Sequence, residues 1–338
     1  GGGGEKRNKK KTKQQLPNKR KWRTNNKTSK LKEKQTNTPT QKISNNRNKC
    51  VICDHKIDEK NESNFSKFNC NVRAFQKESF KVWRCPDCKT IHTLETVDIA
   101  PYYEKYPIAE NKLTWEMRLC YGKLSRQLAK HGFSKAHSIL DYGCANGLFL
   151  EYLRGKGFSK CYGYDPYAHE NGFGNSAILD SAPFDYILLQ DVIEHVEDPR
   201  KLLSILDGLL APGGYILIGT PNAANIDLTK PNISDFYNPV HVPYHFHIYT
   251  PQALEYLGNC HNWQAVEFCD RAYHDTPWLG VNTRAWNQYQ RLSDGTLDVI
   301  HEPIDLGKAL ASYKMMFYVL FGYWLSYHTE MSMMFRKS

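Results

Sequence analysis

An α/β fold, with helices on both faces of a mainly parallel sheet, is predicted by the alternation of strand and helix signals in the middle of the chain. Short apolar runs at residues 139–141, 161–164 and 184–189 each end in a polar or glycine-rich turn. This alternation is typical of βαβ units. The first run leads through a turn into a helical pattern that begins at Leu148, which is the first half of a nucleotide-binding βαβ unit.

The turn after the first strand has the composition of a ligand-binding loop. Gly143 and Gly147 enclose it, and glycine lets the backbone approach a ligand closely. The second strand ends in Asp165, 24 residues after Asp141. An acid at this place suits the two hydroxyls of a ribose. We therefore expect a nucleoside-containing cofactor at the carboxyl ends of the first two strands.

Three segments in this order carry a family resemblance: LDYGCANG at 140–147, DVIEHVEDP at 191–199 and LLAPGGYILIGTPN at 209–222. Together they resemble the class I S-adenosylmethionine (SAM)-dependent methyltransferases. The resemblance implies a Rossmann-like sheet with helices on both faces and SAM as the methyl donor. The residues that it places at the cofactor are Asp141, Tyr142, Gly143, Cys144, Ala145, Gly147, Asp165, Pro166, Asp180, Gln190 and Asp191.

One segment departs from the family pattern. Phe184 follows Asp165 by only 19 residues, where the family usually fits a helix and another strand. We expect residues 176–179 to form a shortened third strand, with Asp180 facing the adenine.

Two cysteine pairs precede the sheet. Cys50 and Cys53 form one C-x-x-C pair, and Cys85 and Cys88 form the other. Two such pairs can offer four thiolates to a tetrahedral Zn²⁺, which leaves no open position for catalysis. The sequence therefore predicts a structural zinc-binding module at residues 50–100. Cys70, His55 and His92 remain open as substitute ligands.

The cysteine usage also indicates a compartment. Ten cysteines in 338 residues do not make a disulfide scaffold. Paired C-x-x-C spacing favours metal binding in a reducing, cytoplasmic environment. The Arg84-Cys85 dipeptide and a following Tyr102-Tyr103…Tyr106 stretch resemble zinc-binding modules fused to SAM methyltransferases of sugar and natural-product pathways.

Basic charge is concentrated at the N-terminus. Residues 1–49 contain 17 Lys/Arg and 2 Asp/Glu, a net of +15, so the rest of the chain carries −5 of the total +10. With almost no apolar residues, this tail is predicted to be disordered. It is either a solvated tail or an arm for RNA or another anionic surface.

Residues 101–338 are predicted to be the methyltransferase domain, with an insertion at 272–327. Helices are expected at 110–131, from Thr250-Pro251 and at 307–327, and strands at 263–269 and 329–336. The polar N-terminus predicts no secretory signal, and the apolar runs are too short to predict a membrane span.

Four histidines are candidates for a general base. His195 follows the fourth expected strand, and His241, His245 and His247 lie in the loop before Thr250. An extended loop would point the last three to one side, by the period of two. A histidine with an ordinary pKa near 6.5 suits deprotonation of an acceptor. The alternative is that these histidines are structural.

The predicted function is methyl transfer from SAM to an O or C atom of a small molecule, such as a sugar, a nucleotide-linked sugar or a pathway intermediate. One alternative is an RNA methyltransferase that docks through the zinc module and the basic tail. Another is an inactive SAM-fold binding module, which the shortened 165–184 segment favours.

Overall fold

The computed structural model describes Gly1 and residues 46–107, 112–167, 172–229 and 237–338. Residues 2–45, nearly all of the tail predicted to be disordered, lie outside the described residues. Residues 46–49 pack against residues 50–100, which we call the cysteine segment. The Arg47 amide donates to Leu94 O at 2.7 Å, and Trp83 Nε1 donates to Arg47 O at 2.8 Å. The folded part therefore begins before the expected boundary at residue 49.

The described residues contain ten strands and ten α-helices. The strands are β1 (Ser66–Asn69), β2 (Ser79–Arg84), β3 (Ile91–Thr93), β4 (Ile139–Tyr142), β5 (Cys161–Tyr164), β6 (Phe184–Gln190), β7 (Leu210–Pro221), β8 (His247–Ile248), β9 (Trp263–Cys269) and β10 (Glu330–Lys337). The helices are α1 (Ala100–Glu104), α2 (Trp115–Lys130), α3 (Leu148–Gly155), α4 (Pro199–Leu209), α5 (Tyr237–Val240), α6 (Pro251–Asn259), α7 (Thr283–Leu292), α8 (Asp298–His301), α9 (Leu306–Ala311) and α10 (Tyr313–Phe321).

The main sheet has six strands in the order β5-β4-β6-β7-β10-β9. The first four are parallel, and β10 runs antiparallel between β7 and β9. Helices cover both faces, so the expected Rossmann-like α/β sheet is confirmed. The strands at the centre are continuous apolar runs because both faces are covered: Ile187, Leu189, Ile216 and Ile218 are fully buried.

The expected third strand is wrong. Ser176–Ser181 forms a 3₁₀ helix beside β5, and the sheet ends at β5 on this side. The Asn175 side chain accepts a hydrogen bond from the Ala177 amide and so starts a helical turn instead of an extended segment.

The cysteine segment is joined to the larger part of the fold through a second sheet. Its order is β1-β2-β3-β8, and β8 comes from the histidine loop far along the chain. Trp83 and Cys85 share one apolar core with Ile187, Ile218 and Tyr249 of the larger sheet and its connections. The two parts therefore bury a common core.

The insertion forms a small helical layer with its own apolar contacts. Ala285, Tyr289, Val299, Met315 and Tyr318 make this second core. The single helix expected at 307–327 is wrong, because the chain breaks at Ser312, whose hydroxyl accepts from the Met315 amide and begins α10. Among the helices that the structure describes, none has the length and apolar character needed to cross a bilayer.

Thr250 is expected to contribute more to stability than an ordinary helix cap. Its buried hydroxyl accepts from the Ala253 amide at 3.1 Å and donates to Cys88 O at 3.2 Å. Thr250→Ala should lower the free energy of unfolding by about 1–2 kcal/mol in a denaturant titration. Thr250→Ser, which keeps both bonds, should lose less than half of that. Thr114→Ala, at the exposed cap of α2, is the matched control, and an equal loss there would contradict the role assigned to the Cys88 bond.

Candidate functional site

The loop between β4 and α3 has a backbone that requires glycine at two places. Gly143 and Gly147 have φ angles of +82° and +69°. A Cβ added at Gly143 would lie 2.3 Å from Val192 Cγ2, and one at Gly147 would lie 2.3 Å from Phe173 Cζ. The loop therefore packs tightly between the end of β6 and the Phe173 ring.

Asp165 braces this loop from the end of β5. Its Oδ2 accepts from the Ala145 amide at 2.9 Å, and its Oδ1 accepts from the Tyr167 amide at 2.9 Å. A carboxylate has about four acceptor positions, so capacity is left for hydroxyl donors. The arrangement is able to hold a ribose against the glycine loop.

The other residues predicted at the cofactor surround this loop at different depths. Asp141 and Cys144 are buried beneath it, and burial together with the Asp165 charge raises the pKa of Asp141 to about 7. Tyr142 packs edge-on against Tyr164 at 5.3 Å, and Pro166 follows Asp165. Asp180 is exposed on the 3₁₀ helix beside β5.

Gln190 and Asp191 extend the site along the edge of the sheet. Gln190 lies over Gly219 so closely that a Cβ there would be 2.0 Å from its Nε2. Asp191 has φ +55° and faces the cleft, where surrounding protein raises its pKa to about 6. The glycine loop and the cleft therefore both lie at the carboxyl ends of the parallel strands, where sheets of this kind bind ligands.

The cleft is a cavity of about 470 Å³, within the size range of small-molecule sites. Its walls come from α2, the ends of β6 and β7, the histidine loop and the inserted helices. Four of the lining side chains are acidic, and among the described residues none is Lys or Arg. The residues that line the cavity are Asn71, Tyr106, Glu116, Met117, Cys120, Asp191, Glu194, His195, Pro221, Asn238, Pro239, His241, His245, His274, Val281, Thr283, Trp286, Asn287, Leu297, Ile300, His301, Thr329 and Glu330.

Three of the four predicted histidines meet in this cavity. The His195 and His245 rings are 4.7 Å apart between centroids, and the His241 and His245 rings are 5.0 Å apart. His247 instead points to the cysteine sheet, with its Nδ1 2.9 Å from His92 Nδ1. The expected extended loop is wrong: His241 has φ +37°, and the following residues form turns until β8.

Burial keeps the three cavity histidines neutral near pH 7. It lowers the pKa of His195 to about 4, and it lowers the pKa values of His241 and His245 well below 6.5 with help from the neighbouring histidines. Each ring is therefore a proton acceptor and not a cation.

Three acids in the cavity, Glu116, Glu194 and Glu330, were missed by the sequence reasoning. Glu194 is fully buried, and burial, then the Asp191 charge, raises its pKa. Glu330 opens β10, and burial, Asp191 and Glu194 raise its pKa. The segment DVIEHVEDP, which indicated His195 as a candidate, also contains Glu194, so the sequence held a signal for this acid. No local pattern points to Glu330, which only the position of β10 brings here.

The four predicted metal ligands lie together at the start of the folded part. Cys50 Sγ is 3.4 Å from Cys88 Sγ, and Cys53 Sγ is 3.4 Å from Cys85 Sγ, with all four sulfur atoms within 4.8 Å of one another. Sulfur atoms around a tetrahedral zinc at about 2.3 Å are about 3.8 Å apart, so the cluster fits such an ion.

The three alternative ligands are not part of this cluster and have other surroundings. Cys70 is buried in a different apolar cluster, His55 pairs with Asp87, and His92 contacts His247.

Comparison with known proteins agrees with the loop and sheet just described. Residues 114–267 match a family model described as a methyltransferase domain. The ubiquinone biosynthesis O-methyltransferase of Caulobacter sp. (strain K31) is 31% identical over 106 residues, 25% of this chain. The tRNA U34 carboxymethyltransferase of Campylobacter curvus (strain 525.92) is 31% identical over 111 residues, 28% of this chain. This chain spans 40% and 37% of their lengths.

Among solved structures, a SAM-dependent methyltransferase from Archaeoglobus fulgidus aligns with 65% of this chain and 93% of its own, with a TM-score of 0.37 and 18% identity. The sequence match covers the glycine loop, Asp165 and the strands β4 to β7, and ends within β9. Residues 114–267 therefore carry a SAM-dependent methyltransferase domain.

Proposed function

We propose that the protein methylates an O or C atom of a small, uncharged acceptor that binds in the cavity beside the cofactor loop. The observation that carries this proposal is the lining of the cavity, which has four acids and, within the described part of the chain, no Lys or Arg. Recognition of RNA or of a nucleotide-linked sugar depends on cationic contacts to phosphates. The similarity to relatives named as O-methyltransferases favours a hydroxyl oxygen as the atom attacked.

The proposed chemistry asks little of the protein beyond alignment and a proton acceptor. SAM supplies a methyl group already activated by its sulfonium. Asp165 and the glycine loop hold the cofactor, and the cavity aligns the acceptor for in-line attack. His241 is the best placed base, because its Nε2 is buried with no hydrogen-bond partner among the described residues, while its Nδ1 is bonded to Asn71 Oδ1.

We propose that the cysteine cluster holds one structural zinc. Four thiolates complete a tetrahedral shell, and the cluster lies in the part of the protein that packs against α4 and α6, away from the cavity lining. The ion would then act on stability and on the position of neighbouring elements.

Asp165→Ala should weaken SAM binding at least tenfold, about 1.4 kcal/mol, because the ribose hydroxyls lose a charged acceptor and the glycine loop loses its brace. Isothermal calorimetry measures this directly. Asp165→Asn keeps one oxygen and should lose less. Unchanged affinity in the alanine variant, with normal thermal stability, would contradict the assignment.

One zinc per chain should resist dialysis against EDTA, and Cys85→Ser should lose it, as measured by elemental analysis. Cys70→Ser is a matched control, because Cys70 is equally buried but outside the cluster. Retention of the zinc in Cys85→Ser, or its loss in Cys70→Ser, would show that the ligand set is different.

Labelled SAM incubated with cell extract should place the label in the small-molecule pool and not in RNA or protein. Deleting residues 2–45, which spares the Arg47 contacts, should leave turnover within about twofold, because phosphate contacts of a basic arm mainly supply affinity for nucleic acid. If the label appears in RNA and disappears with the deletion, the acceptor is RNA. That alternative is motivated by the basic tail and by the similarity to the tRNA-modifying relative.

A further inference from the structure

Three side chains of the cavity offer ligand atoms to a common point. One nitrogen or oxygen atom each of Glu194, His195 and His245 lies within 4.8 Å of the others. Glu194 Oε2 accepts from Thr220 Oγ1 at 3.0 Å, but its buried Oε1 has no hydrogen-bond partner among the described residues. This Oε1 is 4.0 Å from His245 Nε2, too long for a hydrogen bond and short enough for two ligands of one ion.

The backbone fixes which nitrogen of each ring faces the cluster. His195 Nδ1 is 3.0 Å from Tyr244 O, and His245 Nδ1 is 2.7 Å from Pro239 O. A carbonyl oxygen only accepts, so each Nδ1 carries the hydrogen and each Nε2 presents a lone pair. Histidines that bind metals characteristically donate their other N–H to a carbonyl in this way.

Among the described residues, no hydrogen-bond donor reaches the buried Glu194 Oε1. The buried Nε2 of His241 also has no partner in the described part of the chain, and the lining described for the cavity contains no Lys or Arg. A buried acceptor without a donor costs free energy, and a carboxylate costs more. A cation coordinated by these atoms removes that cost.

We propose that Glu194, His195 and His245 bind a divalent transition-metal ion such as Mn²⁺, Fe²⁺, Co²⁺ or Zn²⁺. Two imidazoles and one carboxylate suit these ions and leave positions open for other ligands. Because all three side chains line the cavity, the open positions face the acceptor. This centre is distinct from the cysteine cluster in place and in ligand type.

The role of the ion rests on the proposed function. A hydroxyl oxygen of the acceptor takes an open position, and the ion lowers its pKa. The hydroxyl proton passes to His241. The oxygen then forms its bond to the methyl carbon while the carbon–sulfur bond breaks, and the bonding electron pair stays on sulfur. The acceptor class is therefore an alcohol or phenol able to chelate or bind through oxygen.

Mn²⁺ titration followed by electron paramagnetic resonance tests the site in the full, zinc-loaded chain, because Mn²⁺ prefers oxygen and nitrogen over thiolate. The wild type should bind one Mn²⁺ per chain. Glu194→Gln should weaken binding at least about 100-fold, since even outer-shell changes cost 10–100-fold. His245→Gln should do the same, and His247→Gln, equally buried two residues away, should bind as the wild type does.

A wild type that binds no Mn²⁺, or a Glu194→Gln variant that binds it normally, overturns the proposal. SAM affinity, measured on the same samples by calorimetry, reports whether each variant is folded. If Mn²⁺ binds as described but no acceptor is methylated, the metal site stands and the proposed function fails. The two failures are therefore distinguishable.

Discussion

The position of the histidine loop depends on a two-residue pairing between β3 and β8. Next to it, the Thr93 amide donates to Phe246 O at 3.1 Å, and Thr93 Oγ1 donates to His245 O at 2.6 Å. On the other side, the Phe246 amide donates to Glu194 O at 2.7 Å. The segment that carries His245 is thus held between the cysteine sheet and the loop after β6. These hydrogen bonds hold the backbone of His245 next to the backbone of Glu194.

This arrangement gives the cysteine segment a part in shaping the cavity beyond the place of Asn71 in its lining. Arg84 donates to Ala223 O and Ile226 O after β7, and Arg47 bonds to Glu95 O and to the Glu197 carboxylate beyond His195. A metal ion bound by the four cysteines would restrain the segments next to Arg47 and Arg84, from which these contacts are made. If the proposed zinc were lost, the shared core and the small sheet would transmit the change to the histidines.

Local signals in the sequence were enough to predict the strands of the main sheet, the glycine loop and the Thr250 cap, because each depends on neighbours within a few residues. The histidine loop was predicted wrongly because the period of two requires a continuous extended backbone, and His241 lies in the left-handed region. The 3₁₀ helix after Asn175 replaced a strand for a similar local reason. Glu330, one of the four acids of the cavity, reaches it only through the pairing of β10, and such a distant contact leaves no periodic pattern in the sequence.

The place of β10 in the sheet determines the order in which the domain can be assembled. β9 has its only strand partner, within the described residues, in β10, and β10 pairs with β7 through contacts such as Glu330 with Pro221, more than a hundred residues apart. During synthesis, residues 263–269 therefore emerge from the ribosome before their strand partner and stay unpaired until residues 330–337 have been made. Loop closure over such a distance is slow, and an exposed strand edge invites aggregation. During synthesis, the four parallel strands can form early, while the far side of the sheet closes after translation of the inserted helices.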